Sequence, residues 1–259
     1  MINKYPIYII SKGRAFNPLT AKNLESSGLD YYIAVEPQEE NDYINALGKK
    51  RVLVLPFSNL GVGSYPARNY CWEHAKNSGY KYHWLFDDNI LFWMKWIDGK
   101  RRKIIDVKPA IDYVEKFVDN KNIDIGGFEE PNFVVKVPKR AFKINYHVYS
   151  AMLIKNELPY RWRLKYNEDV DLCLQVLHNG GTTASCVYYM ANKVSTADKM
   201  KGGNQDELYK GNDPKKKLLK AKMLEAVWPQ YAKTVIRFNR YHHLVDWRVF
   251  QKRLIKTKL

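Results

Sequence analysis

Two carboxylates and an amide stand together at Asp87, Asp88 and Asn89, directly after the apolar segment Tyr82–Phe86. Oxygen ligands of this kind bind hard divalent cations such as Mg²⁺ or Mn²⁺. An ion held there could bridge the phosphates of a nucleotide and neutralise a departing diphosphate. Asp and Asn are also common turn formers, so a plain turn is the alternative interpretation.

A second acidic cluster, Glu168, Asp169 and Asp171, follows Asn167. Asn is a good helix N-cap, and carboxylates in a first turn suit the helix dipole, which explains the cluster without any chemistry. The functional alternative makes one of these carboxylates the general base for an acceptor hydroxyl.

The first third of the chain alternates between strand and helix patterns. The predicted strands are Pro6–Ser11, Tyr31–Val35, Arg51–Leu55 and Tyr82–Phe86, and the predicted helices are Pro18–Ser27, Gln38–Leu47 and Ala67–Asn77. This alternation is typical of a parallel sheet, whose ligands bind beyond the carboxyl ends of the strands. We therefore expect one crevice to contain Ser11–Arg14, Glu36, Gly61–Ser64 and Asp87–Asn89.

The rest of the chain is less regular. Further helices are predicted at Val107–Asp119, Asn167–Leu177 and Pro214–Tyr231, and further strands at Phe133–Val137, Tyr146–Leu153 and Thr183–Met190. The expected fold class is α/β, with a mostly parallel mixed sheet flanked by helices and a basic helical C-terminal extension. We expect residues 1–192 to form the core and residues 193–259 to form an extension packed on it.

The composition is globular, with 46% hydrophobic residues among 259, which excludes a wholly disordered chain. No apolar run is long enough to cross a bilayer, and the N-terminus lacks the pattern of a secretory signal, so we expect an intracellular, cytoplasmic protein without a membrane partner. Three scattered cysteines do not suggest a disulfide framework or a zinc site.

The net charge of +16 is unevenly distributed. From Lys193 to the end there are 17 Lys and Arg against 6 Asp and Glu, while the preceding residues are nearly balanced. Such a segment suggests a polyanion partner, nucleic acid first and an anionic membrane surface second, although a solvated basic face is the simpler alternative.

Several motifs together resemble a GT-A glycosyltransferase core over roughly residues 5–190. They are Ser11-Lys12-Gly13-Arg14, Gly63 followed by Ala67-Arg68-Asn69, the strand ending in Asp87-Asp88-Asn89, and the later Glu168-Asp169 pair. With Val35-Glu36-Pro37 and Leu55-Pro56-Phe57, the set resembles the TET-associated glycosyltransferases. That family occurs largely in phages and is thought to add sugars to hydroxymethylated pyrimidines in DNA.

The resemblance implies a role for each matching residue. Arg14 and Glu36, in the first and second loops, would contact the uridine or ribose of a UDP-sugar such as UDP-glucose. Arg68 and Asn69 would shape the nucleotide pocket. The donor diphosphate and a Mn²⁺ or Mg²⁺ ion would be held by Asp87, Asp88 and Asn89. The base for an inverting reaction would be Asp169, supported by Glu168.

Two features depart from this pattern or extend it. Asn89 replaces an acidic residue, so it contributes no charge to a metal site, and His178, His242 and His243 are metal-ligand candidates by residue type only. The loop containing Lys199, Gly202 and Gly203 would suit closure over a diphosphate, or is an ordinary turn. With Ser11 and Lys12, these complete the predicted donor-binding set.

Aromatic and basic residues are interleaved near Trp93, Trp96 and Arg101–Lys103, and again in the tail from Tyr241 to Arg253. Such segments can neutralise phosphates and hold an extruded base, the Trp faces can pack against a sugar, and the alternative is core packing.

The sequence thus predicts transfer of a sugar from a UDP-sugar to 5-hydroxymethylcytosine in double-stranded DNA, in the host cytoplasm if the protein is phage-encoded. Three alternatives stay open: a GT-A enzyme acting on a glycan, lipid or protein, a catalytically silent nucleic-acid-binding module, and a nucleotidyltransferase using the same metal.

Overall fold

A ten-stranded mixed sheet forms the centre of the computed structural model, which describes residues 3–194, 202–203, 214–237 and 239–251. The sheet strands are β1 Ile7–Ile10, β2 Tyr32–Val35, β3 Val52–Val54, β4 Tyr82–Asp87, β5 Ile90–Ile97, β6 Lys100–Ile104, β7 Ile125–Glu129, β8 Phe142–Ile144, β9 Ala151–Lys155 and β10 Thr183–Lys193. The helices are α1 Leu19–Glu25, α2 Glu40–Leu47, α3 Tyr65–Asn77, α4 Lys108–Lys121, α5 Glu168–His178, α6 Pro214–Val227 and α7 Arg248–Gln251. A separate hairpin consists of β11 Ala232–Arg237 and β12 Arg240–Val245.

The sheet has two halves of different character. Its order is β3-β2-β1-β4-β9-β7-β10-β5-β6, with β8 paired to β10. The first four strands of this order are mutually parallel, as the alternation of strands and helices predicts. From β9 onward the pairing is antiparallel, except between β7 and β10. The mixed α/β architecture is confirmed, and parallel pairing is concentrated in the N-terminal half.

Both faces of the sheet are covered because the central strands are apolar on both sides. Ile7 and Ile9 pack into one hydrophobic cluster with residues of α1 and α4, whereas Tyr8 between them packs into a second with residues of α3 and α5. Successive side chains of a strand point to opposite faces, so a continuous apolar run serves two layers. The cysteines Cys71, Cys173 and Cys186 are buried in these clusters as free thiols.

The middle of the chain differs most from the prediction. The basic, Trp-rich stretch forms the hairpin β5–β6, and β7 was not predicted. Phe133–Val137 is not a strand, because Pro131–Phe133 forms a 3₁₀ turn and the chain continues irregularly to β8. Gly127 in β7 is required by close packing, since a Cβ atom there would lie 2.2 Å from the Ala151 carbonyl oxygen.

The described residues of the C-terminal segment pack against α3 and α5 and are not wholly helical. Helix α6 lies against the hairpin β11–β12, whereas a helical extension was predicted. Leu224, Trp228, Ala232 and Phe250 join the same hydrophobic cluster as α3 and α5. None of the helices in the described residues is long and apolar enough to span a bilayer.

Candidate active site

A cavity of about 350 Å³ opens at the carboxyl ends of the parallel strands. It brings together the loops that follow the four neighbouring strands β3, β2, β1 and β4, as expected from the topology. Its predicted lining residues are Ser11, Lys12, Arg14, Glu36, Arg68, Asp87, Asp88, Asn89, Glu168, Asp169 and Gly203. His243, a metal-ligand candidate by residue type, also lines it, as do residues that the sequence did not single out, among them Glu130, Phe133, Tyr149, Lys193 and Lys220.

The end of β4 is fixed by Thr20 of α1. Its hydroxyl donates to the Asp87 carbonyl oxygen at 2.6 Å and accepts from the Ile90 amide at 2.9 Å. Thr20 is fully buried, so this clamp is isolated from water. The acidic turn is therefore held rigidly at the cavity floor by a helix from the beginning of the chain.

Asp87 lies between two cations. Its Oδ1 accepts a hydrogen bond from Arg68 Nη2 at 2.8 Å, and its Oδ2 lies 3.9 Å from Lys193 Nζ. Burial acts to raise the pKa of Asp87, but the charges of Arg68 and Lys193 outweigh it and lower the pKa. Asp87 is thus held as a carboxylate.

Asp88 turns to the other side of the floor. Ser11 Oγ donates to its Oδ2 at 2.6 Å, and its Oδ1 forms an ion pair with Arg14. Burial raises the pKa of Asp88, with the cation of Arg14 opposing it. Both carboxylate oxygens are therefore engaged in fixing the first loop.

Asn89 contributes an unusual oxygen. Its Nδ2 donates to the Val194 carbonyl oxygen at 2.9 Å, while its buried Oδ1 has no hydrogen-bond partner within the described chain. Among those residues no cluster of three or more His, Cys, Asp and Glu is arranged for a metal ion. The Asn89 Oδ1, without a partner among the described residues, is an oxygen that could face a cation, with Asp87 as a nearby carboxylate, whereas both oxygens of Asp88 are committed to Arg14 and Ser11.

The predicted acceptor-side pair opens α5. Glu168 Oε1 accepts from Ser64 Oγ at 2.9 Å and lies 3.4 Å from Arg68 Nη2. Asp169 Oδ1 accepts from the Val170 amide at 2.8 Å. Burial raises the pKa values of both carboxyl groups. A carboxylate with a raised pKa in a cavity is suited to accept a proton.

The N-cap interpretation of Asn167 needs correction. Asn167 precedes α5 in a left-handed conformation, with φ of 56°, and its side chain does not cap the helix. Its Nδ2 donates instead to the Lys220 carbonyl oxygen of α6 at 2.8 Å. The residue therefore connects the acidic pair to the C-terminal extension.

Lys193, at the end of β10, is the principal site residue that the sequence analysis missed. Its Nζ lies 3.1 Å from Glu130 Oε1 and donates to Ser150 Oγ at 2.7 Å. Burial acts to lower the pKa of Lys193, but Asp87, Glu130 and Asp169 together raise it. A partly buried ammonium group, whose charged form these carboxylates favour, therefore stands among the cavity carboxylates.

The first two loops form the other end of the cavity. Lys12 Nζ lies 3.1 Å from Glu36 Oε2, and the Asn59 amide donates to the same oxygen at 3.1 Å. Gly202 and Gly203 return to this loop, where the Gly203 amide donates to the Lys12 carbonyl oxygen at 2.7 Å. Lys199 lies outside the described residues.

Gly63 shapes the entrance to α3. Its φ is +91°, and an added Cβ atom would lie 2.8 Å from the Lys165 carbonyl oxygen. A residue with a side chain would therefore be strained in conformation and would collide with the segment that leads to Glu168.

Other candidates lie away from the cavity. Asn69 does not line it, because its side chain exchanges two hydrogen bonds with the Trp162 backbone. Trp93 and Trp96 are 1% and 7% exposed, so the core-packing alternative is correct for them. Of the histidines, only His243 lines the cavity; His178 contacts Tyr231 at 2.9 Å and His242 is exposed on the hairpin.

Residues 5–203 match the TET-Associated Glycosyltransferase family. None of the curated proteins matches the chain in sequence. Among solved structures, a nucleotide-diphospho-sugar transferase from Desulfovibrio desulfuricans is similar with 10% identity and a TM-score of 0.39, over 71% of this chain and 80% of that one.

Proposed function

Because the chain belongs to the TET-Associated Glycosyltransferase family, we propose that it transfers a sugar from a UDP-sugar, such as UDP-glucose, to the hydroxyl of 5-hydroxymethylcytosine in DNA. The observation that carries this proposal is that most of the predicted donor-binding residues and the predicted base line one cavity. Asp169, Asp87 and the cations Arg68 and Lys193 lie on its floor, and the loops after β1 and β2 lie at its other end. Such an arrangement can hold a nucleotide diphosphate beside a proton acceptor.

The donor would be bound by the first two loops. Glu36 is kept ionised, because hydrogen bonds from Gln38 and Asn59 outweigh its burial and lower its pKa. It would accept from ribose hydroxyls, while Lys12 and Arg14 would contact the nucleotide. Ser11 and Asp88 would hold Arg14 in place. Gly202 and Gly203, with Lys199, would cover the diphosphate.

A divalent cation, Mn²⁺ or Mg²⁺, would be held by Asp87 and Asn89. When bound, it would supply positive charge to the diphosphate as this group departs. Arg68 and Lys193 would add positive charge from the protein itself, because both lie next to Asp87 in the cavity. Asn69 would act indirectly by fixing the chain that leads to the acidic pair.

The reaction itself is a displacement at the anomeric carbon. The hydroxymethyl oxygen forms the new bond to this carbon while the bond to the β-phosphate oxygen breaks. Asp169 accepts the hydroxyl proton, and UDP leaves with the electron pair. Glu168, which is hydrogen-bonded to Ser64 and close to Arg68, keeps the start of α5 against the donor.

DNA is favoured as the acceptor by the net charge of +16, since phosphate neutralisation dominates binding to nucleic acid. Such an acceptor would place the protein in the cytoplasm, of a host cell if it is phage-encoded.

The test is mass analysis of nucleosides from hydroxymethylcytosine DNA after incubation with the protein, Mn²⁺ and a panel of UDP-sugars. A hexose-sized gain on the modified base would support the donor and acceptor together. Release of UDP without a gain on DNA would move the acceptor to a glycan, lipid or protein. If no donor were consumed, the proposed activity would be wrong.

A further inference from the structure

A strongly basic strand forms one edge of the ten-stranded sheet. Strand β6 exposes four consecutive cations, Lys100, Arg101, Arg102 and Lys103. No acidic residue occurs from 99 to 105. Arg102 also lies directly opposite Lys95 of β5, and like charges in that position destabilise a strand pair. This repulsion would be relieved by a polyanion.

A loop next to this strand combines cations with exposed apolar side chains. Phe133, Val135 and Val137 are 51%, 73% and 56% exposed, respectively. Lys136, Lys139 and Arg140 are exposed between and after them, and residues 131–141 contain no acidic residue. Apolar side chains that project among cations are typical of proteins that enter the base stack of a duplex.

The loop is attached firmly to both the strand and the cavity. Arg101 Nη1 donates to the Pro131 carbonyl oxygen at 2.7 Å, and Val134 packs with Trp96 in a small buried cluster. Phe133 lines the cavity and lies 6.2 Å, between ring centroids, from Tyr149, which also lines it. A molecule bound along β6 and the loop would therefore reach the part of the cavity that contains Tyr149 and, close to it, Asp169.

We propose that β6 and loop 131–140, together the acceptor surface, bind duplex DNA, and that Val135 and Val137 enter the base stack so that the extruded pyrimidine reaches the cavity beside Phe133. This inference rests on the proposed function. The cations of the acceptor surface neutralise backbone phosphates on either side of the extruded base. Aromatic rings at the cavity mouth offer a face on which the base can stack.

The electrostatic part is tested with two matched double variants. Lys103→Gln with Lys136→Gln removes two exposed charges from the acceptor surface, and Lys49→Gln with Lys50→Gln removes two exposed charges next to β3, the opposite edge strand. Binding of a fluorescent duplex is measured over a series of salt concentrations. We expect the first pair to weaken binding about tenfold and to reduce the salt slope by about two, and the second pair to leave both nearly unchanged.

Equal losses of DNA affinity in the two double variants, or no loss in the first, would show that the acceptor surface does not bind DNA. Its cations would then serve only to prevent strand pairing between copies, as charges on edge strands do. UDP release without DNA should be unchanged in both pairs, since none of these four residues lines the cavity. If wild-type protein transfers no sugar to DNA but the binding difference persists, the proposed reaction fails and the surface stands.

The apolar part is tested with Val135→Ser combined with Val137→Ser and a duplex that carries 2-aminopurine beside the target base. Unstacking raises the fluorescence of this analogue. We expect wild-type protein to cause a rise and the double variant to lose most of it, with duplex binding reduced less than threefold, since phosphate contacts dominate affinity. A full rise with the double variant would overturn insertion by these side chains.

Discussion

At the residue scale, the site is organised by cations placed against carboxylates. Arg14 engages Asp88, Arg68 engages Asp87 and lies near Glu168, and Lys193 lies near Asp87. Each carboxylate consequently has a different environment and a different use. Asp87 is held ionised, Asp88 is structural, and Asp169 carries a raised pKa because it is buried.

Replacing Asp169 by Asn should lower the rate of sugar transfer by about 10²–10⁴-fold, because the general base is lost while the shape of the side chain is kept. Donor binding, measured by titration calorimetry with UDP, should change little. The exposed Asp42→Asn provides a control with the same change of side chain. A variant at Asp169 that retains most of its transfer rate would place the base elsewhere.

Asp87→Asn and Asp88→Asn should respond differently to metal. We expect the first to raise the Mn²⁺ concentration for half-maximal transfer by roughly tenfold or more, because a charged ligand is lost. The second should leave this concentration nearly unchanged, because both Asp88 oxygens already bind Arg14 and Ser11. The measurement is the rate of sugar transfer against added Mn²⁺, after the protein has been treated with a chelator. A larger rise in the Mn²⁺ requirement for Asp88→Asn than for Asp87→Asn would make Asp88 the metal ligand instead.

At the element scale, α4 covers one face of the sheet and brings a carboxyl group with it. Glu115 is buried, and Trp84 Nε1 of β4 donates to its Oε1 at 2.8 Å. Burial raises its pKa to about 7, despite the hydrogen bond from Trp84. The packing of this helix is therefore linked to pH.

The folded chain keeps a proton on Glu115 that the unfolded chain releases near pH 4.5. This contribution to stability is fully present below pH 4.5 and is lost as the pH rises through about 7. Glu115→Gln removes this titration. Between pH 4.5 and about pH 7, the free energy of unfolding of the wild type should therefore fall by up to about 3 kcal/mol relative to that of the variant. Urea unfolding at both ends of the window measures the difference, and a constant offset would contradict it.

Local sequence patterns predicted those strands and helices that pack against elements close to them in the sequence. The presence and parallel pairing of β1 to β4, with their helices, could be predicted because each of these strands pairs with another from the same region of the chain. Strand β7 was missed because Gly126 and Gly127 weaken its strand pattern. Lys193 was missed because its partners Asp87, Glu130 and Ser150 come from distant parts of the chain.

At the scale of the whole molecule, described residues of the C-terminal extension contribute to the hydrophobic cluster that contains α3 and α5. Trp228 Nε1 donates to Asp171 Oδ1 at 2.7 Å, and Arg163 and Gln175 complete the partners of this fully buried carboxylate. Helix α6 is thereby joined to α5, the helix that begins with the acidic pair.

Trp228→Phe should destabilise the protein by about 1–3 kcal/mol more than Trp93→Phe does. Both variants remove part of a buried indole, but only Trp228 donates to a buried carboxylate, whereas Trp93 Nε1 has no partner within the described chain. Thermal unfolding of the two variants gives the comparison. Equal losses would show that the hydrogen bond to Asp171 contributes nothing net.

The three buried thiols can be used to measure when different parts of the chain unfold. Burial raises the pKa values of Cys71 and Cys186 to about 12 and also raises the pKa of Cys173. The folded protein therefore offers alkylating reagents almost no thiolate. Cys71 reports on α3, Cys173 on α5 and Cys186 on β10. Pulsed alkylation read by peptide mass should label all three at one common rate if the two sheet faces open together, and at different rates if one opens first.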